Sequence, residues 1–345
     1  MKIKELFKKL KIPIKYFIFL IIIYFSLYGF HKFLLKLQYN NMAKYANEIE
    51  SKNEYTSITK FNKNGGKPLF LIKPKNNITL FFMEGFRTQN PAGMYRNWFN
   101  FLHEEFNINI VVPIYGIQSS PFYLRNREWF FEEDLREIIQ IYEAYTANLP
   151  ENHKIIVASQ SFGALPNSFI CLEAKKKPDL VVFLSPLNSF MEYRASGPIV
   201  HWLSKQTSWL RHIFLFTKPA IPPNRKSVWD IVNDEKNLYY AKNFPINPED
   251  SSELGYRSQK AALFMEKNIL PFIKNLNIFI AWGDQDLYFS QKGFENFVKI
   301  LSNQNNVEYL KLENSGHMVL LDNGEKILKE RILSYILRFK SEQKK

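Results

Sequence analysis

The stretch "KIIVASQSFGALPN" (residues 154–167) determines how the rest of the sequence is interpreted. An apolar run ends at Ala158, and Ser161 follows two positions before Gly163, after which helix-forming residues begin. This pattern predicts a buried strand that turns sharply into a helix with a serine at the apex. Such a turn is crowded, and both Ser159 and Gly163 are small enough to flank it. Ser161 is therefore either an exposed nucleophile or the N-cap of the helix.

The sequence on both sides of this turn alternates between strand-like and helix-like segments. Strands are predicted at 77–85, 107–116, 154–159, 179–186, 276–283 and 307–312, and helices at 93–106, 127–145, from 162, 293–301 and 324–339. Two earlier strands, 55–62 and 67–74, are predicted to form a hairpin through an Asn-Gly-Gly turn. This alternation predicts an α/β fold, with a mostly parallel sheet covered by helices on both faces.

Residues that can carry out catalysis follow two later strands of the predicted sheet. Asp284 and Asp286 follow strand 276–283, and His317 follows strand 307–312 after a Ser-Gly turn. In an open parallel sheet the carboxyl ends of the strands meet at one edge, where ligands bind. A carboxylate there can orient a histidine, which in turn can take the proton of a serine. The alternatives are a solvated turn for the two acids and a surface or core position for the histidine.

The chain order Ser, Asp, His, with each residue after a strand, resembles that of α/β-hydrolases. The similarity rests on "ASQSFG", "GDQD" and "SGH", covers about residues 55–340, and is strongest to the monoacylglycerol lipase, lysophospholipase and carboxylesterase branch. It implies a catalytic triad of Ser161, Asp286 and His317. Asp284 remains the alternative acid, but the family places its acid three residues after the glycine, which favours Asp286.

The resemblance also implies an oxyanion hole made of two backbone N–H groups. One belongs to Phe162, directly after the nucleophile, and the other to Phe86, after strand 77–85. Glu84 stands where the family commonly has histidine, and a carboxylate near an oxyanion opposes catalysis unless it is protonated, turned away or paired. Arg87 and Arg96 are the candidate partners of Glu84.

Residues 187–265 interrupt the alternation at the position where this family inserts a cap over its active site. The hydrolase core is then expected in residues 54–186 and 266–345. The cap carries aromatic residues that either line an acyl-chain pocket or form the core of the cap itself: Trp202, Trp209, Phe214 and Phe216.

The resemblance implies a serine hydrolase that cleaves carboxylic esters of lysophospholipid or monoacylglycerol type, with no cofactor and no metal. An acyltransferase that uses the same triad is one alternative. The other is a non-catalytic interaction protein with the hydrolase fold, suggested by Glu84 and by Ser159 in place of the usual glycine. No oligomeric state is predicted.

The amino terminus predicts a membrane anchor. Residues 1–15 form a basic segment with six lysines, residues 16–35 are mostly apolar, and residues 36–53 read as a polar stalk. The apolar stretch approaches the roughly 20 residues that a membrane span needs, and the basic flank should remain in the cytoplasm. The catalytic domain is then expected on the exported side. A cleaved signal peptide is the main alternative, but no convincing small-residue cleavage site follows the apolar run.

The net charge of +13 does not indicate a nucleic-acid-binding protein, because nine lysines and a single acid lie within residues 1–44. The single cysteine, Cys171, excludes an internal disulfide and a cysteine zinc cluster. We expect Cys171 to be a small buried apolar residue on a helix.

Overall fold

The structure is a computed structural model that describes residues 69–73, 76–85, 95–113, 131–189 and 251–343, together with residues 16, 18–19, 21–30 and 33. The predicted stalk, the first strand of the predicted hairpin and most of the predicted cap lie outside the described residues.

A single sheet organises the described residues. Its strands follow the order β1-β3-β2-β4-β5-β6-β7 across the sheet. β1 pairs antiparallel with β3, and every other neighbouring pair is parallel. The strands are β1 (Leu69–Leu71), β2 (Ile78–Met83), β3 (Asn109–Val112), β4 (Lys154–Gln160), β5 (Leu180–Leu184), β6 (Asn277–Gly283) and β7 (Asn306–Leu312). The predicted mostly parallel sheet is confirmed.

The central strands are apolar along their whole length because both of their faces are covered. Every residue of β2, β3 and β5 is buried. In contrast, β7 at the sheet edge keeps most of its residues partly or fully exposed. Continuous apolar runs of this kind are typical of parallel strands between two helical layers.

Helices cover the two faces in separate sets. The helices are α1 (Arg96–Phe106), α2 (Phe131–Thr146), α3 (Ala164–Glu173), α4 (Ser251–Asn268), α5 (Gln291–Ser302) and α6 (Glu325–Glu342). α1 and α6 pack their apolar residues on one face of the sheet, together with Phe82 and Phe279. α2, α3, α5 and the end of α4 pack on the other, with Phe183 and Phe81. Each buried phenylalanine contributes roughly 1.5–3 kcal/mol through its removal from water.

The strand register brings the carboxyl ends of the central strands to one edge of the sheet. Met83 of β2 is level with Ser159 of β4, and Gln160 is level with Leu184 of β5. Gly283 of β6 is level with Leu312 of β7. The loops that carry Glu84, the apex serine, the two aspartates and the histidine therefore all leave the sheet at this edge.

Only part of the predicted anchor (16–35) is described. Residues 21–30 are helical, and large side chains such as those of Phe25 and Ile22 are exposed. No helix within the described residues combines the length and the apolar character required to cross a membrane.

Candidate active site

The turn between β4 and α3 holds Ser161 in a strained backbone conformation. Ser161 has a φ of 54°, in the left-handed region that non-glycine residues rarely adopt. Such a conformation costs about 1–3 kcal/mol and persists only where the surrounding structure enforces it, often at functional sites. Ser161 does not cap the helix, because Gly163 occupies the N-cap of α3 and no side chain makes a capping bond there. The N-cap interpretation of Ser161 is therefore wrong.

The turn needs a residue without a side chain at Gly163. A Cβ built on Gly163 would lie 2.3 Å from the carbonyl oxygen of Met83 and 2.8 Å from that of Glu84. Both are backbone atoms at the end of β2, so neither can move aside cheaply. The end of β2 therefore packs directly against the turn, as a crowded strand–turn–helix junction requires.

Ser159 occupies the position that is usually glycine, and its hydroxyl is used by the fold. The side chain is fully buried, and its Oγ accepts a hydrogen bond of 2.9 Å from Nδ2 of Asn167. The same Nδ2 donates to the carbonyl oxygen of Val182 at 3.2 Å. Sequence reasoning missed Asn167, although an asparagine in the apolar helix "ALPNSFICL" was a signal that a buried polar partner exists.

The structure brings Asp286 and His317 into direct contact. Nδ1 of His317 lies 2.7 Å from Oδ2 of Asp286, and the two side chains are 7% and 0% exposed. The other carboxylate oxygen, Oδ1, accepts the backbone N–H groups of Tyr288 at 2.8 Å and Phe289 at 3.1 Å. Because a carboxylate only accepts, Nδ1 of His317 carries the proton and Nε2 is the nitrogen that can act as a base.

The ring of His317 is also held by packing. Its centroid lies 4.9 Å from the ring of Tyr288 and 5.5 Å from that of Phe289. These are the two residues whose N–H groups bind Asp286. One short segment thus fixes both the acid and the plane of the imidazole, which keeps the hydrogen bond between them aligned.

Asp284 has a different role. Its Oδ1 accepts a hydrogen bond of 3.3 Å from the backbone N–H of Ser315, and its side chain is half-buried. Asp284 therefore links the loop after β6 to the loop that carries His317. Of the two candidate acids, only Asp286 forms a hydrogen bond with the imidazole in the described part of the chain.

The loop before His317 approaches the end of β6 very closely. A Cβ built on Gly283 would lie 2.0 Å from the carbonyl oxygen of Ser315, so only glycine allows this contact. From the other side, Oδ2 of the buried Asp322 accepts the N–H of Gly316 at 2.6 Å. Sequence reasoning missed Asp322, which anchors the residue directly before the histidine.

Solved structures resemble this fold over most of the chain. A soluble variant of monoglyceride lipase from Saccharomyces cerevisiae has a TM-score of 0.61 at 11% identity, covering 83% of this chain and 97% of its own. A monoacylglycerol lipase from Paleococcus ferrophilus has a TM-score of 0.55 at 15% identity, covering 76% and 94%. A carboxylesterase from Bacillus subtilis has a TM-score of 0.53 at 14% identity, covering 88% and 98%.

This chain has the α/β-hydrolase fold. No family model matches its sequence, and no curated protein matches it either. The fold is therefore recognised through the three-dimensional arrangement, and at these identities the likeness shows the fold alone.

The end of β2 lies beside the apex serine. A Cβ built on Gly85 would lie 3.3 Å from Cβ of Ser161 and 3.9 Å from its Oγ. Each predicted oxyanion donor directly follows one of these two residues in the sequence. Phe162 is buried directly after Ser161, whereas Phe86 lies outside the described residues.

Glu84 is buried at the carboxyl end of β2, with only 3% of its surface exposed. Its predicted partners, Arg87 and the side chain of Arg96, lie outside the part of the chain that the structure describes. The charge of Glu84 acts on the neighbouring Tyr95. Burial raises the pKa of the Tyr95 phenol well above its usual range, and the negative charge of Glu84 raises it further. The Tyr95 hydroxyl in turn lies 3.8 Å from Sδ of Met318, next to the histidine.

The ends of the predicted cap meet at one carboxylate. Glu266 accepts the backbone N–H of Ser189 at 2.7 Å and the hydroxyl of Ser189 at 2.5 Å. Ser189 lies just after the start of the 187–265 segment and Glu266 just after its end, so this contact closes the base of the segment. The candidate acyl-pocket residues lie outside the described residues: Trp202, Trp209, Phe214 and Phe216.

Two other buried histidines, His103 and His153, form hydrogen bonds within the core. His103 binds the carbonyl oxygen of Ile108 through Nδ1 at 2.9 Å, and His153 binds the hydroxyl of Thr79 through Nε2 at 2.8 Å. Cys171 is buried on α3, as expected, and burial raises the pKa of its thiol to about 12. In the described part of the chain no three His, Cys, Asp or Glu residues are grouped as a metal site requires.

Proposed function

We propose that this protein is a serine hydrolase that cleaves carboxylic esters through Ser161, His317 and Asp286. The observation that carries the proposal is the 2.7 Å hydrogen bond between His317 and the fully buried Asp286. It lies at the same sheet edge as the strained Ser161, whose φ is 54°. A buried acid that orients a histidine, together with a serine at the apex of a tight turn, is the constellation needed for acyl transfer.

The proposed chemistry assigns one role to each of these groups. Nε2 of His317 takes the proton of Ser161 as its Oγ attacks the ester carbonyl, and Asp286 stabilises the imidazolium that forms. The backbone N–H groups of Phe162 and Phe86 would stabilise the negative charge on the carbonyl oxygen. His317 then gives its proton to the leaving alcohol, which leaves an acyl group on Ser161. Water, activated by the same histidine, releases the acid.

The substrate class proposed is a lipidic or amphiphilic ester, such as a monoacylglycerol or a lysophospholipid. Three features support it: the aromatic cap sequence, the apolar amino-terminal segment, and the likeness in fold to two monoacylglycerol lipases. An enzyme held near a bilayer meets substrates that partition into that bilayer. Activity on monoacylglycerols of increasing chain length, compared with soluble short-chain esters, tests this part of the proposal.

Labelling with a fluorophosphonate tests the catalytic proposal. Wild type should form a covalent adduct at Ser161, and Ser161→Ala should not label and should lose ester hydrolysis by at least about 10⁴-fold. Ser302→Ala is the matched control, because Ser302 lies on the surface of α5 and, among the described residues, its hydroxyl bonds only the carbonyl of Val298 within its own helix. If wild type does not label, or if Ser161→Ala labels equally, the protein is a non-catalytic member of the fold. Product analysis with an added alcohol separates hydrolysis from acyl transfer.

We further propose that the amino terminus anchors the protein in a membrane, with the catalytic domain on the exported side. The apolar residues 16–35 behind the basic segment 1–15 support this proposal, as does the exposure of apolar side chains on the helical residues 21–30. Alkaline phosphatase is active only when it is exported, so we expect a carboxy-terminal fusion of it to this protein to be active. Activity of a cytoplasmic reporter fusion in its place would refute the orientation.

A further inference from the structure

Gln160 connects the nucleophile turn to the loop of the histidine. It is the residue directly before Ser161, and its Nε2 donates a hydrogen bond of 2.8 Å to the backbone carbonyl oxygen of His317. The side chain is 99% buried, and 157 positions of sequence separate the two residues. A single side chain thus joins the two parts of the chain that must meet for proton transfer.

The sheet order explains why such a connection matters. β5 and β6 lie between β4, which ends at Gln160, and β7, which precedes the histidine. Three strand spacings correspond to roughly 14 Å, so the loop after β7 has to reach back across two strands to approach the serine. Asp322 and Gly283 hold this loop on the β6 side. Gln160 is the contact that holds it on the β4 side.

The orientation of the amide is fixed by its partner. A carbonyl oxygen only accepts, so the NH₂ group of Gln160 must face His317. The remaining oxygen, Oε1, is buried with no hydrogen-bond partner in the described part of the chain. A buried amide that leaves one polar atom unpaired costs stability, which means that a purely structural site would be better filled by an apolar residue of the same length. The stability cost therefore points to the bond with the His317 carbonyl as the role of this glutamine.

We propose that Gln160 is a positioning residue that holds His317 within reach of Ser161. The proposal rests on the proposed serine hydrolase function. Loss of the bond lets the histidine loop drift away from the elbow while the hydrogen bond between His317 and Asp286 remains intact. Proton transfer depends steeply on the distance between Ser161 and the imidazole, whereas ground-state binding of the ester does not.

The test is the substitution Gln160→Met, which keeps length and volume but removes the amide. We expect kcat to fall about tenfold with KM unchanged, and the rate of fluorophosphonate labelling to fall by a similar factor. Gln304→Met is the matched control, because Nε2 of Gln304 also donates to a backbone carbonyl, that of Pro271 at 2.9 Å, on the exposed surface. The control should keep the wild-type kcat.

A second variant, Gln160→Asn, retains the amide but shortens its reach by one methylene group, and it should show a comparable loss of kcat. Thermal unfolding identifies which variant is folded. If either folded variant keeps the wild-type kcat, or if KM rises while kcat is unchanged, Gln160 has no positioning role. Failure of the proposed function is recognised separately, because wild type itself would then not label.

Discussion

Asp286 has both of its carboxylate oxygens occupied in the folded chain. Oδ2 faces the imidazole of His317, and Oδ1 accepts the N–H groups of Tyr288 and Phe289. An amide at this position could present its oxygen to only one of these two sets of donors. The acid is therefore fixed in orientation by its own loop, before any substrate binds.

Replacing the acid by its amide separates the two aspartates of "GDQD". Asp286→Asn should lower kcat by about 10³–10⁴-fold, since the carboxamide cannot hold the histidine in the tautomer that leaves Nε2 free. Asp284→Asn is the matched substitution two positions away. It should cost no more than about 1 kcal/mol of unfolding free energy and change kcat little, because the side chain of Asp284 accepts only the Ser315 N–H among the described partners.

Steady-state kinetics and chemical denaturation of both variants provide the measurement. A larger loss of kcat in Asp284→Asn would reverse the assignment of the acid.

The residues that could be identified from the sequence have a local sequence signal, and those that were missed do not. Asp286 and His317 follow strands at motif spacing, so local sequence was enough to propose them. Gln160, Asn167 and Asp322 act through hydrogen bonds to distant or turn backbone, and Asn167 also bonds the Ser159 hydroxyl. Their side-chain types are ordinary in their local sequence. Only the packed structure identifies the acceptor that each one meets.

At the scale of elements, the strand–turn–helix junction depends on the end of β2 as much as on its own residues. The carbonyl groups of Met83 and Glu84 fill the space where a side chain at Gly163 would lie. The turn, the position of Ser161 at its apex and the end of β2 are consequently parts of one packed unit.

Gly163→Ala tests this coupling. The added methyl group would force the end of β2 away from the turn, so we expect a loss of roughly 1–3 kcal/mol in unfolding free energy and a fall in kcat of about 10²-fold or more. Gly29→Ala is the control, because a Cβ at Gly29 would meet no atom within 4 Å. Thermal unfolding and ester hydrolysis measure both effects. Wild-type activity in Gly163→Ala would mean that β2 and the turn are not coupled.

The extent of each element was harder to predict than its existence. Apolar runs were sufficient to locate the parallel strands, but β3 spans Asn109–Val112 and not the predicted 107–116. Pro113 explains its end, because a proline has no N–H to continue the ladder. Within the predicted strand 67–74, β1 pairs with β3, as Leu69 with Val112, while the predicted hairpin partner 55–62 lies outside the described residues. The spacing of apolar residues within a segment does not indicate which strand, some 40 residues away, it pairs with.

At the scale of the molecule, the sheet separates the edge near Ser161, Asp286 and His317 from a polar cluster at the opposite edge. The hydroxyl of Thr79 lies 2.8 Å from both Nε2 of His153 and the hydroxyl of Tyr145, near the amino ends of β2 and β4. Burial lowers the pKa of His153 below its ordinary 6.5, the positive charge of Lys176 adds to this, and Asp179 opposes it. Folding therefore favours the neutral imidazole.

This cluster predicts a dependence of stability on pH. The unfolded state binds the proton of His153 more tightly, so its contribution to stability is complete above pH 6.5 and is lost as the pH falls from there through the folded-state pKa. Urea denaturation between pH 8 and 5 should show a steeper loss of stability in wild type than in His153→Gln. Identical slopes would show that His153 does not contribute.

The hydrogen bond between Ser159 and Asn167 affects which sequence patterns can detect proteins of this fold. A sequence pattern that requires glycine two positions before the serine at the apex would not match this chain. The fold accepts Ser159 there because the side-chain amide of Asn167, eight positions later, donates a hydrogen bond to its hydroxyl. The two positions should therefore vary together among related sequences: a polar residue at the first should be accompanied by an asparagine or a similar donor at the second. A pattern that includes this pair would recover hydrolases that a glycine-based signature leaves out.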